Sequence, residues 1–173
     1  YKSLKEAENL TDIVNAMKNV ISGYGNEYLI PTYTILDELA DDFAYKEAVD
    51  KLKQLRKSNK MLIVNRHAAE CDYVDKERRN IAIDFVIDAY NGKVDSNLSG
   101  VKKDNLGIIK QKINDAFRLV NYNGKAFRNA RILTHYHEAR LEELKWAVIA
   151  QELKWKEQEE QKRIREEIRE EEK

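Results

Sequence analysis

THYHEARLEELKWAVIAQELKWKEQEEQKRIREEIREEEK, residues 134–173, is forty residues with neither Gly nor Pro. Nothing in it breaks a helix, and a continuous helix of that length spans roughly 60 Å. Its two halves differ. In the first, Leu141, Leu144, Val148, Gln151 and Trp155 recur at intervals of three and four, the signature of one helix face packed on something. In residues 156–173, 14 of 18 side chains are charged and only Ile164 and Ile168 are apolar. That half reads as a solvated spacer stiffened by pairs such as Glu159 with Arg163. A coiled coil is the alternative, for which the apolar seam is thin.

The rest of the chain agrees with a helical reading. One Pro and six Gly in 173 residues leave few breaks and favour helices over a turn-rich all-β fold. That length suits one domain, or one domain plus an extension. The single cysteine, Cys71, forms no intramolecular disulfide, which points to a reducing compartment. The longest apolar runs, such as MLIV at 61–64 and WAVIA at 146–150, fall far short of the ~20 residues of a membrane span. A chain that begins at Tyr1 and ends in a charge run reads as a piece of a longer protein.

Along the chain, Ser3 with Glu6 has capping-box spacing, and Leu4, Ala7, Leu10, Val14, Met17 and Ile21 follow at helical intervals up to Gly23. GNEYLIPTYT predicts a short strand near residues 27–33, and Thr34 with Asp37 opens a short helix. A further helix runs from about Tyr45 toward Val64, and HAAECDYVD reads as a connection. The next helix presents Ile81, Phe85 and Ala89. After it, Asp104 can cap a helix that turns Ile109, Ile113, Phe117 and Val120 inward. The expected architecture is mainly α: five or six helices in a compact domain over 1–133, and a long projecting C-terminal helix over 134–173.

The tetrapeptide Tyr-Asn-Gly-Lys occurs twice, at 90–93 and 122–125. Superposing the two places Ile81 on Ile113, Phe85 on Phe117 and Ile87 on Leu119, while the positions between disagree. Both copies therefore read as helix stops after a core-facing stripe, with Gly free to take positive φ, rather than as a duplication. A phosphate-gripping turn needs a Gly-rich stretch between a strand and a helix N-terminus, and these Gly residues follow helices.

Catalytic and metal chemistry find little support. His135 and His137, two apart on a helix, point about 200° from one another and cannot share an ion. Cys71 near His67 lacks an orienting partner and reads as a small buried hydrophobe. Asp37, Glu38, Asp41 and Asp42 read as a solvated face rather than a cation site. No cofactor is implied.

Charge carries more information. The formal total is zero, yet residues 1–50 hold 4 basic and 10 acidic side chains, while residues 102–131 hold 8 basic and 2 acidic. Lys102, Lys103, Lys110, Lys112, Arg118, Lys125, Arg128 and Arg131 are interleaved with Tyr122 and Phe127, a composition suited to phosphate and base contacts. The same tract is equally suited to pairing with the acidic N-terminal third or with a protein partner.

Four stretches then carry a family resemblance: CDYVDKERRNIAIDFVIDAYNGKVDSNLSGVKKDN (71–105), DAFRLVNYNGKAFRNARI (115–132), YHEARLEELKWAVIAQELKWKEQEEQKRIREEIREEEK (136–173) and GYGNEYLIPTYTILDELADDF (23–43). Together they resemble the bacterial and phage family called domain of unknown function 4041 (DUF4041). In that family the domain follows a coiled coil or membrane anchor and precedes a GIY-YIG nuclease domain of the T5orf172 type. The resemblance implies a non-catalytic module of a nuclease in anti-phage defence, with the linked nuclease domain as one partner. A phage or host protein, DNA, or a second copy of the chain would be another. It also implies a cytoplasmic location, or the cytoplasmic face of the inner membrane where an anchor is present. It transfers no functional residues, so the basic tract remains the candidate site.

Overall fold

The computed structural model describes residues 1–23, 44–102 and 105–173. Five helices carry the described chain: α1 (Lys2–Ser22), α2 (Tyr45–Val64), α3 (Lys76–Ser99), α4 (Leu106–Gly124) and α5 (Thr134–Glu171). Two-residue strands, β1 (Ala69–Glu70) and β2 (Arg131–Ile132), join them. The fold is mainly α, as the scarcity of Gly and Pro predicts. The strand expected near 27–33 and the short helix from Thr34 lie outside the described residues, as do Lys103 and Asp104.

Two apolar clusters hold the helices. In the larger, Ile83, Val86, Tyr90 and Val94 of α3 meet Ile109, Ile113 and Val120 of α4, Ile132 of β2, and Tyr136, Leu144 and Val148 of α5. In the smaller, Ala48 and Leu52 of α2 pack on Trp146, Ile149, Ala150 and Leu153 along α5. Burial of each large aliphatic side chain contributes roughly 1.5–3 kcal/mol. Burial on α5 ends at Leu153, and every residue from 157 to 173 is exposed. The second half is thus the solvated helix the sequence predicts, although Arg163 pairs with Glu160 and Glu167 rather than Glu159. Helix α1 lies against α4 and buries only Ala16 completely.

Strands β1 and β2 pair antiparallel, Ala69 opposite Ile132 and Glu70 opposite Arg131. The pairing continues as Leu133 N–H donates to Ala68 O and Asp72 N–H to Arg128 O, both at 2.9 Å. This small sheet ties the α2–α3 connection to the α4–α5 connection. Two-residue strands carry no alternating pattern, so sequence periodicity could not reveal them.

Several local readings require correction. α1 begins one residue after Tyr1 with no side-chain cap, so Ser3 lies inside the helix. α5 does start at Thr134, the first residue of the expected helix, and Leu133 rather than Thr134 holds the cap position. Gly23 does end α1 in the left-handed conformation, φ 62°, its N–H donating to Asn19 O and Val20 O. The first Tyr-Asn-Gly-Lys is not a stop, because α3 runs through it to Ser99. The second coincides with the end of α4 at Gly124, but the positive φ angles fall later, at Arg128 (50°) and Asn129 (52°).

The expected inward stripe on α3 is also wrong. Ile81 and Phe85 are both 62% exposed, and the core face is the one bearing Ala82, Ile83, Val86, Ile87, Tyr90 and Val94. Two apolar stripes with helical spacing occupy one helix. The longer one is buried.

Candidate functional site: the basic tract, a buried polar network and an apolar groove

Seven of the eight cations of the basic tract lie among the described residues, and their partners differ. Lys110 is exposed and Lys112 half-buried; two positions apart on α4, they point away from one another. Arg118 Nε lies 3.8 Å from Asp12 Oδ2 of α1, an ion pair between the basic tract and the acidic N-terminal third. Arg131 is engaged across the sheet, Nη2 2.7 Å from Glu70 Oε2 and Nη1 3.1 Å from Asp72 Oδ1. The Lys125 ammonium sits 5.8 Å from the centre of the Tyr122 ring. Lys102 and Arg128 are exposed in the connections, and Lys103 lies outside the described residues. A buried carboxylate, Asp115, accepts from Asn19 of α1 (3.1 Å) and Gln111 (3.0 Å), so α1 covers part of this helix with polar contacts of its own.

The other chemically rich region is one that spacing did not reveal. His137, set aside as a metal ligand, is 7% exposed and stacks on Phe117, ring centres 4.1 Å apart and nearly parallel. Its Nε2 lies 2.9 Å from Asn114 Oδ1, and its Nδ1 2.7 Å from the Tyr90 hydroxyl. An amide oxygen only accepts, so the neutral ring carries its proton on Nε2 and takes the Tyr90 O–H at Nδ1. One turn further, Arg140 bonds Asp95 and Glu143, the latter at 2.7 Å. Glu143 also accepts from Asn59 (3.1 Å) and Arg56 (3.3 Å) of α2. Tyr136 O–H donates to Asn91 Oδ1 at 2.7 Å.

These side chains join α2, α3, α4 and α5 in one polar seam. Tyr90 and Tyr136 are wholly buried, and Glu143 and Arg140 nearly so. Burial raises the pKa of both tyrosines, which stay neutral as hydrogen-bonding groups. The centre of the seam is buried while Arg56 and Asp95 at its ends reach solvent, and such a network constrains how the helices cross.

His137 gives the seam a pH signature. Burial, reinforced by the Arg118 charge, lowers its pKa from 6.5 to about 4. Between these values the unfolded chain holds a proton that the folded chain does not. Stability therefore falls as pH drops below 6.5, and the loss is complete below about 4. At pH 5 the loss relative to pH 7 is about 2 kcal/mol. Urea midpoints of the wild-type domain and His137→Gln, compared at both pH values, isolate this contribution: the variant is expected to lose about 2 kcal/mol less.

On the surface, Tyr73, Arg78, Ile81, Ala82, Phe85 and Phe127 line an open groove of about 330 Å³. Phe85 and Phe127 face one another there, ring centres 5.9 Å apart. Among the described residues, no three His, Cys, Asp or Glu side chains cluster as a metal site. No described helix is long and apolar enough to cross a membrane.

No curated protein and no solved structure matches the chain. Residues 43–155 match the family model of the SNIPE associated domain. The matched span opens just before α2 and closes at Trp155, two residues after the last buried position of α5. It contains both apolar clusters, the sheet and the whole polar seam, and it leaves out α1 and the charged half of α5. With about two thirds of its length accounted for in this way, the chain belongs to the SNIPE-associated domain family, a nuclease-associated module.

Proposed function

We propose that the chain is the non-catalytic recognition module of a GIY-YIG-type nuclease in anti-phage defence. In this reading it senses a phage or host protein, or assembles the nuclease, while the linked domain performs the cleavage. The observation that carries the reading is the contrast between two surfaces. Arg118 and Arg131 of the basic tract are held in ion pairs with the chain's own acids, whereas the groove at Phe85 and Phe127 leaves large apolar side chains in water. Charged groups already paired attract a polyanion weakly, and an exposed apolar patch is the common mark of a protein interface.

A second reading, a DNA-holding arm for the nuclease, draws on Lys102, Lys110, Lys125 and Arg128, which stay exposed. The test is binding of the domain to labelled duplex DNA across a salt series, beside a variant carrying Lys110→Glu, Lys125→Glu and Arg128→Glu. The protein-reading module is expected to show little binding at physiological salt and little difference between the two proteins. Binding that persists there, falls steeply as salt rises and is lost in the variant would establish the DNA-holding arm instead.

A further inference from the structure

α3 carries two apolar faces. One is packed on the core, and on the other Arg78, Ile81 and Phe85 run in steps of three and four along a single stripe, with the core residue Ala82 at its edge. A helix that is apolar on more than one face ordinarily has neighbours on more than one face. Among the described residues the second face meets Tyr73 and the turn after α4, and Ile81 and Phe85 each remain 62% exposed.

That turn is built with unusual backbone. Arg128 and Asn129 are consecutive left-handed residues without glycine, a conformation that Asn tolerates and Arg seldom adopts. The turn is held closed from three sides. Ala130 N–H donates to Gly124 O (3.0 Å) and Phe127 O (3.1 Å), Asp72 N–H donates to Arg128 O, and Cys71 Sγ lies 3.3 Å from Phe127 O. The product of this arrangement is Phe127, 46% exposed and fixed opposite Phe85. A clamped, strained turn that holds an aromatic ring in water is a feature of binding sites rather than of solvated surface.

The charges beside the groove select among occupants. Two neighbouring cations are neutralised, Arg66 by Asp84 and Arg131 by Glu70 and Asp72, while Arg79 donates to Tyr73 O. Arg78 in the groove wall and Arg128 beside Phe127 make no ion pair among the described residues. A nucleic acid strand would need cations along its whole backbone, and the lining is carbon apart from one guanidinium and one phenol. The complementary surface is apolar side chains with a carboxylate next to them.

We propose that this groove is the docking site for a short peptide segment of a protein partner, one that seats two bulky apolar side chains between Ile81, Phe85 and Phe127 and pairs a carboxylate with Arg78. The proposal rests on the recognition-module reading and names the surface and chemistry through which it acts.

The test uses fluorescein-labelled twelve-residue peptides and backbone NMR of the domain. One peptide carries Phe and Leu four apart with two flanking Asp; a second replaces the Asp by Lys; a third replaces Phe and Leu by Ser. A twelve-nucleotide single strand of deoxythymidine is the fourth probe. The first peptide is expected to bind and to shift the amide signals of residues 78–85 and 127, the second and third to bind at least tenfold more weakly. Phe85→Ser is expected to weaken the first peptide about thirtyfold, as loss of an interface anchor does. Arg78→Glu is expected to move preference from the Asp to the Lys peptide. Both substituted residues are exposed, and unchanged thermal midpoints check that the variants remain folded.

Equal binding by all peptides, no shift at these residues at millimolar peptide, or indifference to Phe85→Ser would each overturn the proposal, as would the oligonucleotide alone shifting them. A parallel selection of random displayed peptides against the domain separates the two levels. Recovered binders that ignore Phe85→Ser would sink the groove and leave the recognition reading standing; recovery of none, with DNA bound at physiological salt, would remove both.

Discussion

Glu143→Ala is expected to lower the unfolding free energy by roughly 3–5 kcal/mol, the range for removing one partner of a buried ion pair. The carboxylate is 3% exposed and receives Arg140, Arg56 and Asn59. Removing it strands the Arg140 guanidinium, itself 7% exposed, whose Nε has no hydrogen-bond partner even in the intact protein. Asp95 cannot substitute, because its side chain is 66% exposed and its attraction is screened by water. Asp95→Ala is accordingly expected to cost under about 1 kcal/mol. The double variant Arg140→Met with Glu143→Leu is expected to be more stable than Glu143→Ala, since no unpaired charge remains buried. Urea unfolding of the three variants checks the order. A Glu143→Ala loss below about 1 kcal/mol would mean that water reaches the seam and the network does not lock the helices.

The location of this network bears on function. Tyr136, His137, Arg140 and Glu143 all lie in the first ten residues of α5, a helix of 38 residues. Their bonds to α2, α3 and α4 fix the axis of that helix at its base. The charged half continues the axis set by this seam together with the packing of Trp146, Ile149, Ala150 and Leu153 on α2.

How much of this was legible depends on the range of the signal. Helix bounds at Tyr45–Val64 and the passage from packed to solvated along α5 follow from apolar and charge periodicity, which are properties of neighbours in sequence. The two faces of α3 were not separable, because Ile81 and Phe85 have the same spacing as Val86 and Tyr90, and only the position of α4 and α5 decides which is buried. The seam was invisible for a similar reason. Tyr90, Asn114 and His137 come from three helices, and His137 in isolation invited a metal reading. The repeated Tyr-Asn-Gly-Lys misled because its two copies sit in unlike surroundings. Tyr90 is wholly buried, whereas Tyr122 is 39% exposed.

The glycines of that repeat make the sharpest contrast, and they can be set against each other. Gly124→Ala is expected to destabilise the domain by roughly 3 kcal/mol or more, at or above the upper end of overpacking substitutions. A Cβ at this position would lie 1.8 Å from Ala130 O, and that oxygen belongs to backbone that cannot rotate aside. The neighbouring turn has no freedom to yield, since Ala130 N–H is bonded to Gly124 O and the chain passes directly into β2. Glycine is required here for close approach of backbone to backbone, and not for positive φ. Gly92 is the opposite case: it lies inside α3, exposed, and an added Cβ would meet nothing within 4 Å. Gly92→Ala is therefore expected to stabilise the helix by about 0.5–1 kcal/mol, the propensity difference between the two residues. Thermal or urea unfolding of the two variants side by side gives shifts of opposite sign if the turn after α4 closes as described. Equal effects would mean that the close approach at Ala130 is relieved in solution, and with it the fixed placement of Phe127 against Phe85.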